Sequence, residues 1–297
     1  MISISILKAV PEKTTKVVSV GGRLDRERMS LVMNPHDKHA IEAADYVKRS
    51  KGGKIVALSM GPDMKLGPIM QKMYGMAVEG VDENVIVSDR RMAGADTLAT
   101  AYAVALGIKK LLKVNSEAIE EIISMVNDGI NREYIKSRSN ELYLQNLLPN
   151  KIYSTIPSSK QSIIWGYYSG RIIKEEVLKQ LTEIRESMNK FIILAGVKTT
   201  DGETGSVGPQ VAEALGESLN ITIPQITYVE DFHIDSDSQK VLIKRNISRT
   251  IQNIESELPV ILTISPEYKT RVISPSVKKQ VRMNSNHGKL DKPIVWN

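Results

Sequence analysis

Short apolar runs that end at glycine or proline alternate along this chain with segments whose apolar residues recur every 3.6 positions. That alternation restricts the fold to a few architectures. Ser3 to Val10 is strand-like and stops at Pro11. Asn34-Pro35-His36-Asp37 opens a helix in which Ala40, Ile41, Ala44 and Val47 share one face, and Gly52-Gly53 ends it. KIVALSM at 54–60 reads as a buried strand closing at Gly61-Pro62. A helix is expected at 68–78, a strand at 84–87 and a helix at 96–106, the last entered through Ala93-Gly94-Ala95. FIIL at 191–194 is a further strand, followed by a glycine-rich loop and a helix at 210–215. The order predicts an α/β fold, a mostly parallel sheet with helices on both faces. Ligands of such sheets sit outside the carboxyl ends of the strands, here residues 10–11, 60–61, 88–89 and 195–196.

The segment 113–190 breaks the pattern, with Ile119, Ile122, Ile123, Val126 and Ile130 on one helical face and Val177, Leu181, Ile184 and Met188 on another. It is read as an inserted helical subdomain in a nucleotide-binding domain made of 1–112 and 191–264. After the strand PVILTI, residues 265–297 carry a basic run and two prolines and read as an extended arm that docks on a partner.

The chain has no cysteine, which removes disulfides, thiolate metal sites and a catalytic thiol together. Any redox chemistry must then come from a bound organic cofactor. The net charge of +6 suits an acidic partner or a phosphate ligand, and acidic residues interleaved with the basic ones argue against nucleic acid. No apolar run is long enough to cross a membrane, Met1 to Val10 reads as a strand rather than a signal peptide, and a cytoplasmic location is expected. His36 and His39 have no third ligand nearby, so no metal is expected.

Three segments carry candidate binding chemistry. The first is the loop Gly196-Val197-Lys198-Thr199-Thr200-Asp201-Gly202-Glu203-Thr204-Gly205-Ser206-Val207-Gly208, between a strand and a helix. Its glycines let successive amides converge on phosphate oxygens at a helix N-terminus, with Thr204 and Ser206 as hydroxyl donors. Equally, the glycines could serve only the turns of a surface loop. Asp201 and Glu203 would repel an adjacent phosphate, so they suit ribose hydroxyls, base amino groups or backbone amides. The second segment holds Asp89, Gly94, Ala95, Asp96, Thr97 and Thr100, a small-residue bend that fits a nucleotide or, with Asp96 as N-cap, only a helix start. In the third, Asn34, Pro35, His36 and Asp37, the Asn34 amide suits either a helix cap or an adenine edge.

These segments resemble those of electron transfer flavoprotein beta subunits. MNPHD with Ala40, Glu42 and Ala43 is similar to their M-N-P-x-[DE]-x-x-A-x-E-x-A stretch, and ALSMGP at 57–62 to their V-x-A-[LV]-[ST]-x-G-P. SDRRMAGADTLATAYAVA, GVKTTDGETGSVGPQVAEALG, PQITY and KPIVW follow in the family's order. The resemblance implies an adenine nucleotide alpha-hydrolase-like fold and a heterodimer with an alpha subunit. That subunit holds most of one FAD and passes electrons from flavin dehydrogenases to a quinone oxidoreductase. The beta subunit's own nucleotide is AMP in housekeeping members. In electron-bifurcating members, the Fix type included, it is a second FAD that accepts hydride from NADH; the V-G-P and A-G-A-D-T forms favour FAD here.

Matching positions place the nucleotide at Ile6 or Lys8, at Asn34 to Asp37, at Met60 and at Gly196 to Val207, with Ser88 to Thr100 joining for a dinucleotide. The amides of Thr204 to Gly208 would hold phosphate, Asn34 and the backbone near Met60 adenine, and Asp201 would orient the loop. No general acid, base or nucleophile is expected. The chain departs from the family in its insertion, in Ser248-Arg249-Thr250 where an acidic-glycine triplet belongs, and in Ser274 before Pro275 where a leucine belongs. The rival readings are a non-redox AMP- or ATP-binding regulatory homodimer and an ATP-splitting enzyme. The second needs S-G-G-x-D-S where this chain has Lys8-Ala9-Val10-Pro11.

Overall fold

The computed structural model describes residues 1–12, 19–20, 23–24, 30–73, 80–128, 161–235, 240–268 and 293–296. In chain order the elements of the main sheet and its helices are β1 (Ile2–Leu7), α1 (Pro35–Lys51), β6 (Lys54–Met60), α2 (Asp63–Met73), β7 (Glu83–Val87) and α3 (Thr97–Asn127). Then come α4 (Gln161–Tyr168), α5 (Lys174–Ser187), β8 (Phe191–Gly196), α6 (Val207–Leu219), β9 (Gln225–Ile234), β10 (Val241–Ile247), β11 (Thr250–Ser256), β12 (Val260–Ile264) and β13 (Ile294–Trp296). The short strands β2 (Ala9–Pro11) and β5 (Leu31–Met33) pair with each other, as do β3 (Ser19–Val20) and β4 (Arg23–Leu24).

The main sheet has nine strands in the order β11-β10-β9-β12-β8-β1-β6-β7-β13. Its pairings are parallel from β9 across to β13, and β10 and β11 extend it as an antiparallel wing. Strand β1 is buried at every position because helices cover both faces; β8 is accordingly a continuous apolar run, while β1 alternates isoleucines with small serines that are buried as well. Ile2, Ile4 and Ile6 face the core shared with α3, α5 and α6. Leu7 faces the core under α1 and α2, and the Ser5 hydroxyl on that side donates to the Ala40 carbonyl at 3.3 Å.

The connections locate the functional edge. From β1 the chain winds outward through α1 to β6 and through α2 to β7. It then returns through α3 to α5 and enters β8 on the opposite side of β1. Neighbouring strands β1 and β8 therefore send their following segments in opposite directions, which opens a crevice at their carboxyl ends.

Several boundaries differ from the sequence expectation. α3 is one helix of 31 residues, so the expected helix at 96–106 and the one through Ile119 and Val126 are continuous, and the 112/113 border falls inside it. Gly107 does not break it: a Cβ there would lie 2.7 Å from Val87 Cγ2, so the glycine instead admits close packing on β7. Asn115 is buried, donates to the Leu111 carbonyl at 3.0 Å and takes the Lys54 ammonium at 3.4 Å. α2 begins at Asp63 and carries Pro68 inside it. The KPIVW segment, placed in the arm by sequence, supplies β13 on the sheet edge, with the Lys110 ammonium 5.1 Å from the Trp296 ring centre. Residues 269–292, with the Ser274-Pro275 departure, and most of the insertion between α3 and α4 lie outside the described residues.

Ile193 lies fully buried in the middle of β8, between β1 and β12. Ile193→Ala should cost about 2–5 kcal/mol in urea unfolding. Leu242→Ala, at a half-exposed position on β10, should stay within about 0.5 kcal/mol.

Candidate functional site

The crevice is built by β1, β8 and the start of α1, and one carboxylate joins all three. The Lys8 amide, just past β1, donates to Asp37 Oδ2 at 2.7 Å. The Asn34 side chain donates to Asp37 Oδ1 at 2.9 Å, and the Gly196 amide at the end of β8 is bonded to the same carboxylate. The Asn34 amide closes the ring by donating to the Lys8 carbonyl at 2.9 Å. Gly196 is required by this packing: a Cβ would stand 2.8 Å from the His36 carbonyl carbon and 2.9 Å from the Asp37 nitrogen. Asp37 is buried, and desolvation pushes its carboxyl up to about 7 even though the Lys8 and Gly196 amides, the Asn34 side chain and the Lys8 charge favour the ionised form.

Asn34 occupies the N-cap position of α1, with Pro35 in the first turn, but its side chain makes no capping bond. Its Nδ2 donates to Asp37 and, at 3.0 Å, to the Lys198 carbonyl. Two acceptors on one side fix the orientation of the amide. The other atom, Oδ1, is buried and has no hydrogen-bond partner among the described residues. It is an acceptor waiting for a donor.

Beyond Gly196 the loop turns back on itself. The Glu203 amide donates to the Thr199 carbonyl at 3.0 Å, and the Gly202 amide to Asp201 Oδ1 at 2.8 Å. Glu203 and Gly205 both have positive φ, at 52° and 63°. At Gly205 a Cβ would also sit 3.0 Å from the Val197 carbonyl. The Lys8 ammonium binds Asp201 at 2.9 Å and so ties the loop to the end of β1. Partial burial pushes the Asp201 carboxyl up, but the bonds from Lys8, Thr199 and Gly202 outweigh this and leave it below the ordinary carboxylate range. α6 then starts at Val207 with Ser206 as an N-cap that makes no side-chain bond. Among the described residues, the amides of Thr204 to Gly208 find no backbone acceptor. A run of open amides at a helix start is an anion cradle. Gly208 lets α6 approach β12, since a Cβ would lie 2.9 Å from Thr263 Cγ2. His36 sits on the rim, and burial, then the charges of Lys198 and His39, hold its imidazole below its usual value.

The structure thus brings Lys8, Asn34 to Asp37 and Gly196 to Gly208 together at one crevice. Ile6 is buried in the core beneath, and Met60 ends the neighbouring strand β6. The second predicted segment sits apart at the end of β7. There Asp89 accepts from the Arg91 amide at 2.8 Å and Asp96 from the Ala99 amide at 2.8 Å, so both carboxylates are occupied as caps. Gly94, at φ 82°, has open space around its missing Cβ, while Thr97 and Thr100 are partly exposed in the first turn of α3. Ala95 precedes that turn, its amide bonded to the Met92 carbonyl at 3.1 Å.

Sequence reasoning missed two polar groups beside α6. Gln210 Oε1 and Thr263 Oγ1 are buried without partners among the described residues. The available signal was Thr263 as the polar residue within the apolar run PVILTI.

The family described as "Electron transfer flavoprotein domain" matches residues 22–117. The chain is 26% identical over 293 residues to "Electron transfer flavoprotein subunit beta" of Clostridium acetobutylicum, covering 98% of this chain and 76% of that one. It is 25% identical over 262 residues to "Caffeyl-CoA reductase-Etf complex subunit CarD" of Acetobacterium woodii, covering 88% and 66%. Against "Protein FixA" of Azotobacter vinelandii it is 23% identical over 266 residues, covering 89% and 65%. These matches support a beta-type member of the electron transfer flavoprotein family. The matched portion of these relatives is about two thirds to three quarters of their length. The family's N-P motif and its glycine-rich stretch are the two segments that Asp37 and Asn34 link here. No described helix is long and apolar enough to cross a membrane.

Asp37 also gives the protein a pH signature. Its folded value, about 7, lies above the ordinary 3.8, so its contribution favours the fold fully below about 3.8 and fades as pH rises through about 7. In ligand-free protein, Asp37→Asn should therefore flatten a fall in melting temperature between pH 5 and 8, measured against wild type at each pH.

Proposed function

We propose that this chain is the beta-type subunit of a heterodimeric electron transfer flavoprotein and binds an adenine nucleotide, FAD in preference to AMP, in the crevice between β1 and β8. The observation that carries the reading is the buried, unpartnered Asn34 Oδ1 on one side of that crevice, with the open amides of Thr204 to Gly208 on the other. Adenine offers an exocyclic N–H₂ to the first, and a nucleotide phosphate offers anionic oxygens to the second. The Lys8 ammonium neutralises Asp201, which would otherwise oppose a phosphate beside it. Asp37 keeps the two halves of the cradle in register.

Bound FAD would supply reversible acceptance and release of electrons. The residues of this chain bind and orient it. Neutral His36 and the Lys198–Glu203 pair, at 3.4 Å, border the opening. Asp89, Gly94 and Thr97 at the end of β7 are available to the far end of a dinucleotide. The partner is an alpha-type subunit, with flavin dehydrogenases or NADH as electron source and a quinone oxidoreductase among the acceptors, in the cytoplasm. Support comes from relatives whose names place them as subunits, one of them in a caffeyl-CoA reductase complex.

The test is to purify the chain with the subunit that accompanies it, denature the complex and count flavins. Two per heterodimer are expected, with NADH bleaching the flavin bands. One flavin together with AMP would replace FAD by AMP in this subunit. A colourless homodimer that releases only AMP or ATP would overturn electron transfer and leave a regulatory nucleotide binder.

A further inference from the structure

We propose that Asp37 is a positioning residue whose ionised carboxylate latches the nucleotide cradle closed, so that tight binding in the crevice is coupled to proton release from that carboxyl. The inference rests on the proposed nucleotide site and deepens it. Every group around the carboxylate is a donor: the Lys8 amide on Oδ2 at 2.7 Å, the Asn34 Nδ2 on Oδ1 at 2.9 Å, and the Gly196 amide. A carboxylate offers only acceptors and satisfies all three; a carboxylic acid gives one lone-pair site to its proton, accepts more weakly, and finds no acceptor among these three for its O–H. The three donors belong to the end of β1, the cap of α1 and the end of β8, the parts that must hold still for the crevice to have one shape. Asn34 is the second link. The side that binds Asp37 sets where Oδ1 points, so releasing Nδ2 also releases the acceptor meant for the ligand.

The burial that makes the latch rigid also makes its charge costly, which is why the carboxyl of the free protein titrates at about 7. The charge that acts on it is that of Lys8 past β1, which pairs with Asp201 in the loop after β8; Lys198, His39, Glu203 and Glu267 act instead on the neighbouring His36. Lys8 is shared with Asp201 through its side chain, so its ammonium serves the loop while its amide serves the latch. A ligand that needs the closed cradle binds the ionised form. Its affinity therefore rises with pH.

The probe is FAD, whose pyrophosphate stays ionised throughout pH 6 to 8, added to the full chain with its accompanying subunit after removal of bound nucleotide. For one carboxyl titrating at about 7 when free and ionised when bound, Kd should fall about tenfold from pH 6 to pH 8. Asp37→Asn mimics the protonated latch and should bind FAD with the weaker affinity at every pH. His36→Gln should keep the wild-type slope, which assigns the proton to Asp37. Gly196→Ala, whose Cβ would crowd the Asp37 carboxylate without changing any charge, should weaken FAD at pH 8. Carbon-13 NMR of the carboxyl supplies a readout independent of affinity: titration near 7 in the free protein, shifted downward in the complex. FAD binding with a flat pH profile in wild type, or unchanged affinity in Asp37→Asn, would overturn the latch and leave the nucleotide site standing. Failure to bind either FAD or AMP at any pH would sink the site itself, and the latch with it.

Discussion

The arrangement of the site depends on one carboxylate buried where the sheet reverses its winding. Strands β1 and β8 lie side by side, but the segments that leave them go opposite ways, so no single connection closes the gap above them. Something else has to hold the two strand ends and the following helix at fixed separation. Asp37 does so with three donors from three elements. The cost of burying it is offset by those bonds only in part, which is why its carboxyl stays near neutrality in its affinity for a proton.

Backbone proximity follows from this centre. Gly196 must lack a side chain because the α1 start is pressed against it, and Gly208 because α6 lies against β12. Those two close approaches bring the start of α6 to the same edge as the start of α1, so two helix N-termini open toward one crevice. Neither is quenched by a side-chain cap: Asn34 is diverted to Asp37 and Lys198, and Ser206 makes no capping bond. At the β7 end of the sheet the opposite holds. Asp89 and Asp96 already satisfy their helix starts, so that corner offers shape and open space more than unmet hydrogen-bonding capacity.

Much of this was legible in the sequence because it is local. Apolar runs of strand length, glycine and proline stops and a helical period gave the parallel sheet and the strand ends at which to search. The glycine-rich loop was legible because positive φ at Gly205 needs glycine. What the sequence concealed is long-range. Asn34 reads as a cap by position, and only the fold shows that Lys198, 164 residues away, claims its amide. Asp37 reads as an ordinary first-turn acid until its burial is seen. The helix expected at 96–106 in fact runs on, because Lys109, Lys110 and Lys113 face outward while Leu111 and Asn115 remain in the core. The last strand was hidden for a similar reason: three residues have no periodicity, and β13 exists by pairing with β7.

The spacing of the two groups bears on what length of ligand the edge suits. From β8 to β7 is three strand steps, through β1 and β6, which at ~4.8 Å each is about 14 Å. A ligand with its base at Asn34 and its phosphate at Thr204 to Gly208 would use the switch point alone and leave the bend at Gly94 untouched. A second nucleotide half would have to extend along the carboxyl edge past Met60, and the partly exposed Thr97 and Thr100 stand on that route with Gly94 open beside them. The bend has already met its own helix-capping needs through Asp96, so its small residues are not explained by closing the helix start. Gly94 answers to its own φ of 82°, so the bend leaves room for the far half of a dinucleotide, the longer of the two proposed ligands, without requiring it.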